Sequence, residues 1–173
     1  MSKLNFLKYL VLASIIALAS LRAIAARSST AGIIQVSCEQ QTEVPTVIAT
    51  LSNQSASQVV PILSFLPEYF STPDALSNCE NTAAKLNIFY QKEQMNYLAS
   101  DAIDEMPVIC AVERRGLGCD SYGSAVLFSL KQPVSPAQLL FDMLGDNFKG
   151  TQLPSSRTVS RIYTDLRPDW WPF

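Results

Sequence analysis

Residues 33–65, which follow the N-terminal segment, contain short apolar runs separated by polar residues. Such runs occupy residues 33–38, 46–51 and 58–65, and the second follows Pro45. Runs rich in β-branched residues and bounded by turn-forming residues indicate strands. Because proline cannot donate a hydrogen bond to a neighbouring strand, Pro61 predicts that the third strand lies at a sheet edge.

The next segment changes to helical spacing. Its apolar positions are Leu76, Cys79, Ala83, Leu86 and Tyr90, and Ala84, Ile88 and Phe89 widen the stripe. Thr72 has the side chain of an N-cap residue, and Pro73 suits the first turn of a helix. The pattern predicts a helix from about residue 74 to residue 94.

The remaining pattern predicts strands followed by a second helix. Strands are expected at 95–98, 107–112 and 125–130, with a polar turn at 101–105. Ser135 and Pro136 begin the second helix, and Gly145 is expected to act as its C-cap. Strands grouped around two helices indicate an α+β fold, with a mainly antiparallel sheet of five to six strands and two packed helices.

The N-terminus has the pattern of a signal peptide. Lys3 and Lys8 precede an apolar run that ends at Arg22, and Ala23-Ile24-Ala25 is a small-x-small cleavage pattern. The run is shorter than the about 20 residues that span a bilayer, so a retained signal anchor is the less favoured alternative. We therefore divide the chain into a signal peptide (1–25), a linker (26–32), a four-cysteine domain (33–150) and an aromatic and basic tail (151–173).

Four cysteines lie after the expected cleavage site: Cys38, Cys79, Cys110 and Cys119. An even number of cysteines in an exported chain predicts two disulfides. Three pairings are possible. The short spacing favours a local bridge between Cys110 and Cys119, which leaves Cys38 to pair with Cys79. Zinc binding and redox activity are disfavoured, since the chain has no closely spaced cysteine pair and no histidine.

Charge and composition narrow the function further. Residues 26–150 carry seven Lys or Arg and thirteen Asp or Glu, and such an acidic surface argues against nucleic-acid binding. The absence of histidine removes the commonest general base and metal ligand. We expect no cofactor and no metal. The cluster of Asp101, Asp104 and Glu105 is interpreted as a solvated turn. A carboxylate-based hydrolase using Glu68, Asp101 and Asp104 is the least favoured reading.

The tail combines arginines with aromatic residues. Val159, Ile162, Tyr163 and Leu166 have the spacing of one helical face, and Pro168 ends it. The candidate interaction residues are Arg157, Arg161, Tyr163, Trp170, Trp171 and Phe173. Paired tryptophans near arginines suit a membrane interface or a pocket of a partner protein. A third possibility is that the tail packs on the apolar surface of its own domain.

The cysteines and their neighbours resemble those of the circadian oscillating polypeptide family of cyanobacteria. The matching segments are the strand ending at Cys38, 45–47, Tyr69-Phe70, Asn78-Cys79-Glu80, 96–98, 107–111, Cys119, 127–130 and 136–140. The resemblance covers residues 33 to 144 and leaves the tail outside. It departs from the family pattern at Asn78, at 81–83 and at 65–66. It implies an exported protein that associates peripherally with a membrane, and it implies no known reaction.

Together these observations predict a non-catalytic, exported interaction or accessory protein. Its location would be the periplasm or the thylakoid lumen, and its partner a membrane surface or a membrane protein. The alternative is a small-ligand-binding protein with an apolar pocket between the sheet and the helices.

Overall fold

The computed structural model describes residues 33–40, 43–52, 57–92, 94–149 and 161–167. Within these residues the strands are β1 (Ile33–Glu39), β2 (Thr46–Ser52), β3 (Ser57–Ser64), β4 (Tyr97–Ile103), β5 (Met106–Val112), β6 (Ser124–Ser129) and β7 (Tyr163–Asp165). The helices are α1 (Thr72–Lys92) and α2 (Pro136–Met143), followed by a 3₁₀ turn (Asp146–Phe148). The expected signal peptide and linker lie outside the described residues.

The strands form two antiparallel sheets. The first sheet has the order β1-β2-β3 and the second the order β6-β5-β4-β7. The α+β class, the antiparallel pairing and the two helices are thus confirmed, while the described strands number seven and are divided between two sheets. Pro61 lies in β3 at an edge of the first sheet, as its missing N–H donor predicted.

Helix α1 begins two residues earlier than predicted. The carbonyl of Ser71 accepts a hydrogen bond from Ala75 N at 2.8 Å, and its hydroxyl lies 3.4 Å from Asp74 N. Ser71 therefore occupies the capping position that the sequence assigned to Thr72, which is the first residue of the helix. The buried face of the helix includes Cys79 and Leu86, as its spacing predicted.

Helix α2 begins as predicted and ends differently. Ser135 is its N-cap and accepts a hydrogen bond from Gln138 N, whereas Leu144 is its C-cap. Gly145 is needed for close packing, because a Cβ there would collide with the backbone oxygen of Pro61 in β3. Its N–H donates to Ile62 O at 2.9 Å. The prediction that Gly145 is the C-cap is therefore wrong.

The hairpin between β4 and β5 is tighter than the sequence indicated. Only Asp104 and Glu105 form the turn, and both have positive φ angles, of 49° and 65°. Such a two-residue turn matches the twist of the strands it connects. Strand β4 extends through Ile103, so Asp101 lies in a strand rather than in a solvated turn, and only 8% of its surface is exposed.

The second sheet buries apolar side chains on both faces. Ile109 and Ala111 of β5 face the main core, which includes an edge-to-face trio of Phe65, Phe70 and Phe128 with centroids 5.2 to 5.8 Å apart. The alternate β5 residues lie in a second, smaller cluster on the opposite face. Its buried members are Ala99, Val108, Cys110, Val112 and Cys119.

Both expected disulfides are present. Cys38 of β1 is bonded to Cys79 of α1, and Cys110 of β5 is bonded to Cys119, each pair with 5.6 Å between its Cα atoms. The predicted pairing is thus confirmed, and none of the cysteines is free.

Candidate interaction site at the C-terminal strand

The segment predicted as one helical face after residue 158 contains a strand. β7 pairs antiparallel with β4, with Tyr163 opposite Ala99 and Asp165 opposite Tyr97. Hydrogen bonds continue on both sides of it, from Ser100 N to Ile162 O at 3.1 Å and from Leu166 N to Asn96 O at 2.8 Å. The helix prediction is therefore wrong for 163–165, and residues 161–167 pair with the four-cysteine domain.

The edge of β4 explains why the strand forms. Ile162 and Leu166 pack against the main core, while Tyr163 packs against the second cluster on the opposite face. This period-two pattern contains the polar Thr164, which obscures it in the sequence. Pairing with β4 satisfies backbone groups that a single helical turn would leave exposed.

A partly buried ion pair attaches β7 to the domain. Arg161 Nη2 donates to Asp101 Oδ2 at 2.6 Å, and Asp101 Oδ2 also accepts from Cys119 N at 3.0 Å. Asp101 Oδ1 accepts from Ala102 N at 2.9 Å. Burial raises the pKa of Asp101, but these donors outweigh it and hold the pKa below its usual value. Asp101 is therefore a charged structural residue.

The second disulfide holds the loop that supplies part of this site. We define the disulfide loop as residues 113–123. A Cβ on Gly118 would lie 2.8 Å from Asp101 Oδ2 and 3.0 Å from Arg161 Nη2. Glycine at this position thus lets the loop approach the ion pair. The Tyr163 hydroxyl donates to Leu117 O at 2.9 Å, which joins β7 to the same loop.

Arg115 makes a further contact between the disulfide loop and β7. Its Nη2 lies 2.8 Å from Asp165 Oδ2, and its guanidinium carbon lies 5.1 Å from the centre of the Tyr97 ring. Both charged side chains are largely solvent-exposed, so the pair adds little stability but orients Arg115 across the strand.

The chain after β7 is held against α1. The Tyr90 hydroxyl donates to Leu166 O at 2.7 Å, and Arg167 Nη2 donates to Tyr90 O at 2.9 Å. Burial raises the pKa of Tyr90. Arg167 therefore has a fixed position, and the tryptophan-containing sequence follows it directly.

An open groove of about 200 Å³ runs beside β7. Its lining residues are Arg115, Asn147, Phe148, Lys149, Tyr163, Thr164 and Asp165. The 3₁₀ turn and Lys149 form one wall, and β7 forms the other. Lys149 Nζ lies 3.5 Å from Asp146 Oδ1. The groove thus lies at a sheet edge and contains two cations and one carboxylate.

The structure places two of the predicted interaction residues, Arg161 and Tyr163, in contacts within the domain. Arg157, Trp170, Trp171 and Phe173 lie outside the described residues. Asp104 lies in the exposed hairpin turn and Glu68 in the turn between β3 and α1, while Asp101 is engaged by Arg161. Within the described ranges, no three His, Cys, Asp or Glu residues are grouped to hold a metal ion.

The sequence offered one signal for the partly buried ion pair. Asp101 stands in the run Leu98-Ala99-Ser100-Asp101-Ala102-Ile103, where small and apolar residues surround a single acidic one. A carboxylate in such a strand needs a cationic or hydrogen-bonding partner. No sequence pattern indicates that this partner is Arg161, which is sixty residues away.

No α-helix among the described residues is both long enough and apolar enough to cross a membrane.

These features define a disulfide-stapled α+β domain whose C-terminal strand is attached by a partly buried ion pair. A family model described as circadian oscillating protein COP23 matches residues 35–169. Since the match covers most of the chain, the protein belongs to this family, and the resemblance is confirmed. The match continues past residue 144, where the resemblance was expected to end, and includes β7. No curated protein and no solved structure matches the chain.

Proposed function

We propose that this protein is an exported, non-catalytic accessory protein that associates peripherally with a membrane surface. The observation that supports this most is the fixed position of Arg167 against Tyr90. β7 and Arg167 are held by the domain, and Trp170 and Trp171 follow Arg167 in the sequence by three and four residues. Tryptophan and arginine side chains are suited to the interface between lipid headgroups and acyl chains.

Export is supported by the cysteine chemistry and by the N-terminal pattern. Two disulfides are compatible with an oxidising compartment, and the first 25 residues have the features of a signal peptide. The periplasm and the thylakoid lumen both fit this proposal.

The alternatives receive less support. A small-ligand site usually measures about 300–1,000 Å³ and encloses its ligand. The groove beside β7 measures about 200 Å³ and is open. A hydrolase would need a carboxylate free to exchange protons, whereas Asp101 accepts three hydrogen bonds and is held in its charged form.

Vesicle flotation tests the membrane proposal. The oxidised protein from residue 26 to residue 173 is mixed with vesicles of phosphatidylglycerol and phosphatidylcholine and centrifuged through a density gradient. We expect the protein to float with the vesicles and the variant W170A/W171A to stay at the bottom, because the aromatic pair supplies the apolar contact.

The control is Tyr122→Ala, which removes a fully exposed aromatic side chain from the disulfide loop. This variant should float like the unmodified protein. A truncation at residue 150 is unsuitable, since it removes β7, Arg161 and the buried Leu166. Failure of the unmodified protein to float, or equal flotation of W170A/W171A, contradicts the proposal.

A further inference from the structure

Among the described residues, the outer edge of β7 has backbone groups without a hydrogen-bond partner. Ile162 and Leu166 direct backbone groups toward β4, as does Thr164, which is opposite Leu98. In an antiparallel ladder the intervening residues direct their N–H and C=O groups away from the partner strand. These are Tyr163 and Asp165, and no backbone hydrogen bond from the described residues reaches their N–H or C=O groups.

Helix α1 covers two other sheet edges. Asn87 Oδ1 accepts a hydrogen bond from Val36 N of β1 at 3.1 Å. Lys85 Nζ donates to Val126 O at 2.7 Å and to Leu127 O at 3.3 Å, both in β6. Hydrogen-bonding side chains of this kind occupy edge groups that would otherwise pair with another strand.

The chain also covers the edge of β3. Gly145 N donates to Ile62 O, and Leu144 forms an isolated bridge with Leu63. Each of the other three edges has at least one such hydrogen bond, whereas along β7 none is made by the described residues and a groove runs beside the strand. Outward N–H and C=O groups beside a groove are the chemistry that an added strand satisfies.

The charge of the groove indicates what kind of segment would fit. Arg115 and Lys149 line it, against one carboxylate from Asp165. The body of the domain, in contrast, has thirteen acidic and seven basic residues between 26 and 150. Lys149 also lies 3.5 Å from the exposed Asp146, so the groove is distinguished by the presence of two neighbouring cations and not by a net local charge. Two cations in one groove of an otherwise acidic domain favour an acidic ligand.

We propose that the outer edge of β7 binds an extended, acidic segment of a partner protein as an additional strand. The segment's backbone pairs with Tyr163 and Asp165, and its carboxylate lies between Arg115 and Lys149. This inference names a partner class for the interaction protein proposed above, at a surface that the flotation experiment does not test.

The probe is an acetylated and amidated pentapeptide, TVEVT, titrated into the isotope-labelled protein and followed by amide NMR. We expect shifts confined to Tyr163, Asp165 and the groove walls, with slower hydrogen exchange of the Tyr163 and Asp165 amides. The matched peptide TVKVT should bind at least about tenfold more weakly, which corresponds to about 1.4 kcal/mol. Absence of shifts up to about 5 mM TVEVT overturns the proposal, because binding weaker than that is worth less than about 3–4 kcal/mol and is not a specific docking site. Amides already protected in the free protein also overturn it.

Three variants keep the test specific. Lys149→Glu should reverse the preference, so that TVKVT binds more tightly than TVEVT. Asp165→Pro removes an N–H that faces away from β4 and should abolish binding, whereas Asp165→Asn keeps that N–H and should bind. Unchanged peptide preference in Lys149→Glu contradicts the inference.

The two proposals fail separately. Lys149→Glu should float on vesicles like the unmodified protein, and W170A/W171A should bind TVEVT like the unmodified protein. Flotation without peptide binding overturns only the strand-addition inference, and peptide binding without flotation overturns only the membrane proposal.

Discussion

The two disulfides lie in different surroundings and close loops of different length. Cys38–Cys79 joins β1 to α1 across 41 residues and lies at the main core. Cys110–Cys119 spans nine residues and lies in the small cluster on the other face of the second sheet. The first therefore constrains the overall fold, whereas the second shapes the loop to which β7 is attached.

The surroundings of each bridge determine what depends on it. Cys79 belongs to the main apolar core, whose members come from α1 and from both sheets. Next to Cys119, its own N–H donates to Asp101, which also binds Arg161. Each bridge thus lies beside a different feature of the domain: the long one in the main core, and the short one where the C-terminal strand is attached.

Removal of the long bridge should have the largest effect on stability. On loop-entropy arithmetic, the variant C38A/C79A loses about 3.9 kcal/mol of unfolding free energy. Urea unfolding at neutral pH, followed by circular dichroism, measures this loss. A loss equal to or smaller than that of the short bridge would contradict the assignment of the two roles.

Removal of the short bridge should have a smaller global effect and a larger local one. The variant C110A/C119A is expected to lose about 2.6 kcal/mol. Hydrogen exchange should also accelerate at Thr164 and Leu166, whose N–H groups face β4, because the disulfide loop no longer supports Asp101. The β2 amides are the internal control. Uniform acceleration in both sheets would show that the bridge acts on the whole fold instead.

The strands and the helix around the Cys38–Cys79 bridge were predicted well from the sequence. Val47, Ala49 and Leu51 alternate with more exposed residues, as a strand with one buried face requires. The helical spacing of apolar residues predicted α1 and its buried positions. The missing N–H of Pro61 predicted that β3 lies at a sheet edge. These signals are local, so a single sequence contains them.

The structure around the Cys110–Cys119 bridge and β7 depends on contacts between distant residues, which sequence patterns do not encode. Arg161 and Asp101 are sixty residues apart. The spacing of Val159, Ile162, Tyr163 and Leu166 matches a helix, but pairing with the edge of β4 makes residues 163–165 a strand. Gly118 gave no signal either, because its role is the approach of Asp101 and Arg161 rather than a special backbone angle. The groove could not be predicted from the sequence either, because one of its walls is β7, and the sequence pattern assigned that segment to a helix.

Loss of the buried carboxylate should have the smallest of these effects on stability. Asp101→Asn keeps the shape but leaves one of three donors without an acceptor and Arg161 without its counter-charge. We expect a loss of about 2 kcal/mol, less than for a fully buried pair because 35% of the Arg161 side chain is exposed. Asp104→Asn is the matched control. It lies in the exposed turn at positive φ, which asparagine tolerates, and should change stability by no more than about 0.5 kcal/mol.

The pH dependence of the same variant distinguishes charge from shape. The pKa of Asp101 is lower in the folded protein than in the unfolded chain, so its ionisation stabilises the fold above the unfolded value of about 3.9. That contribution is lost as the pH falls through the folded pKa. The stability difference between the protein and Asp101→Asn should therefore stay constant from neutral pH to about pH 5 and shrink below about pH 4. A difference that persists unchanged in acid would mean that Asp101 acts through packing and not through its charge.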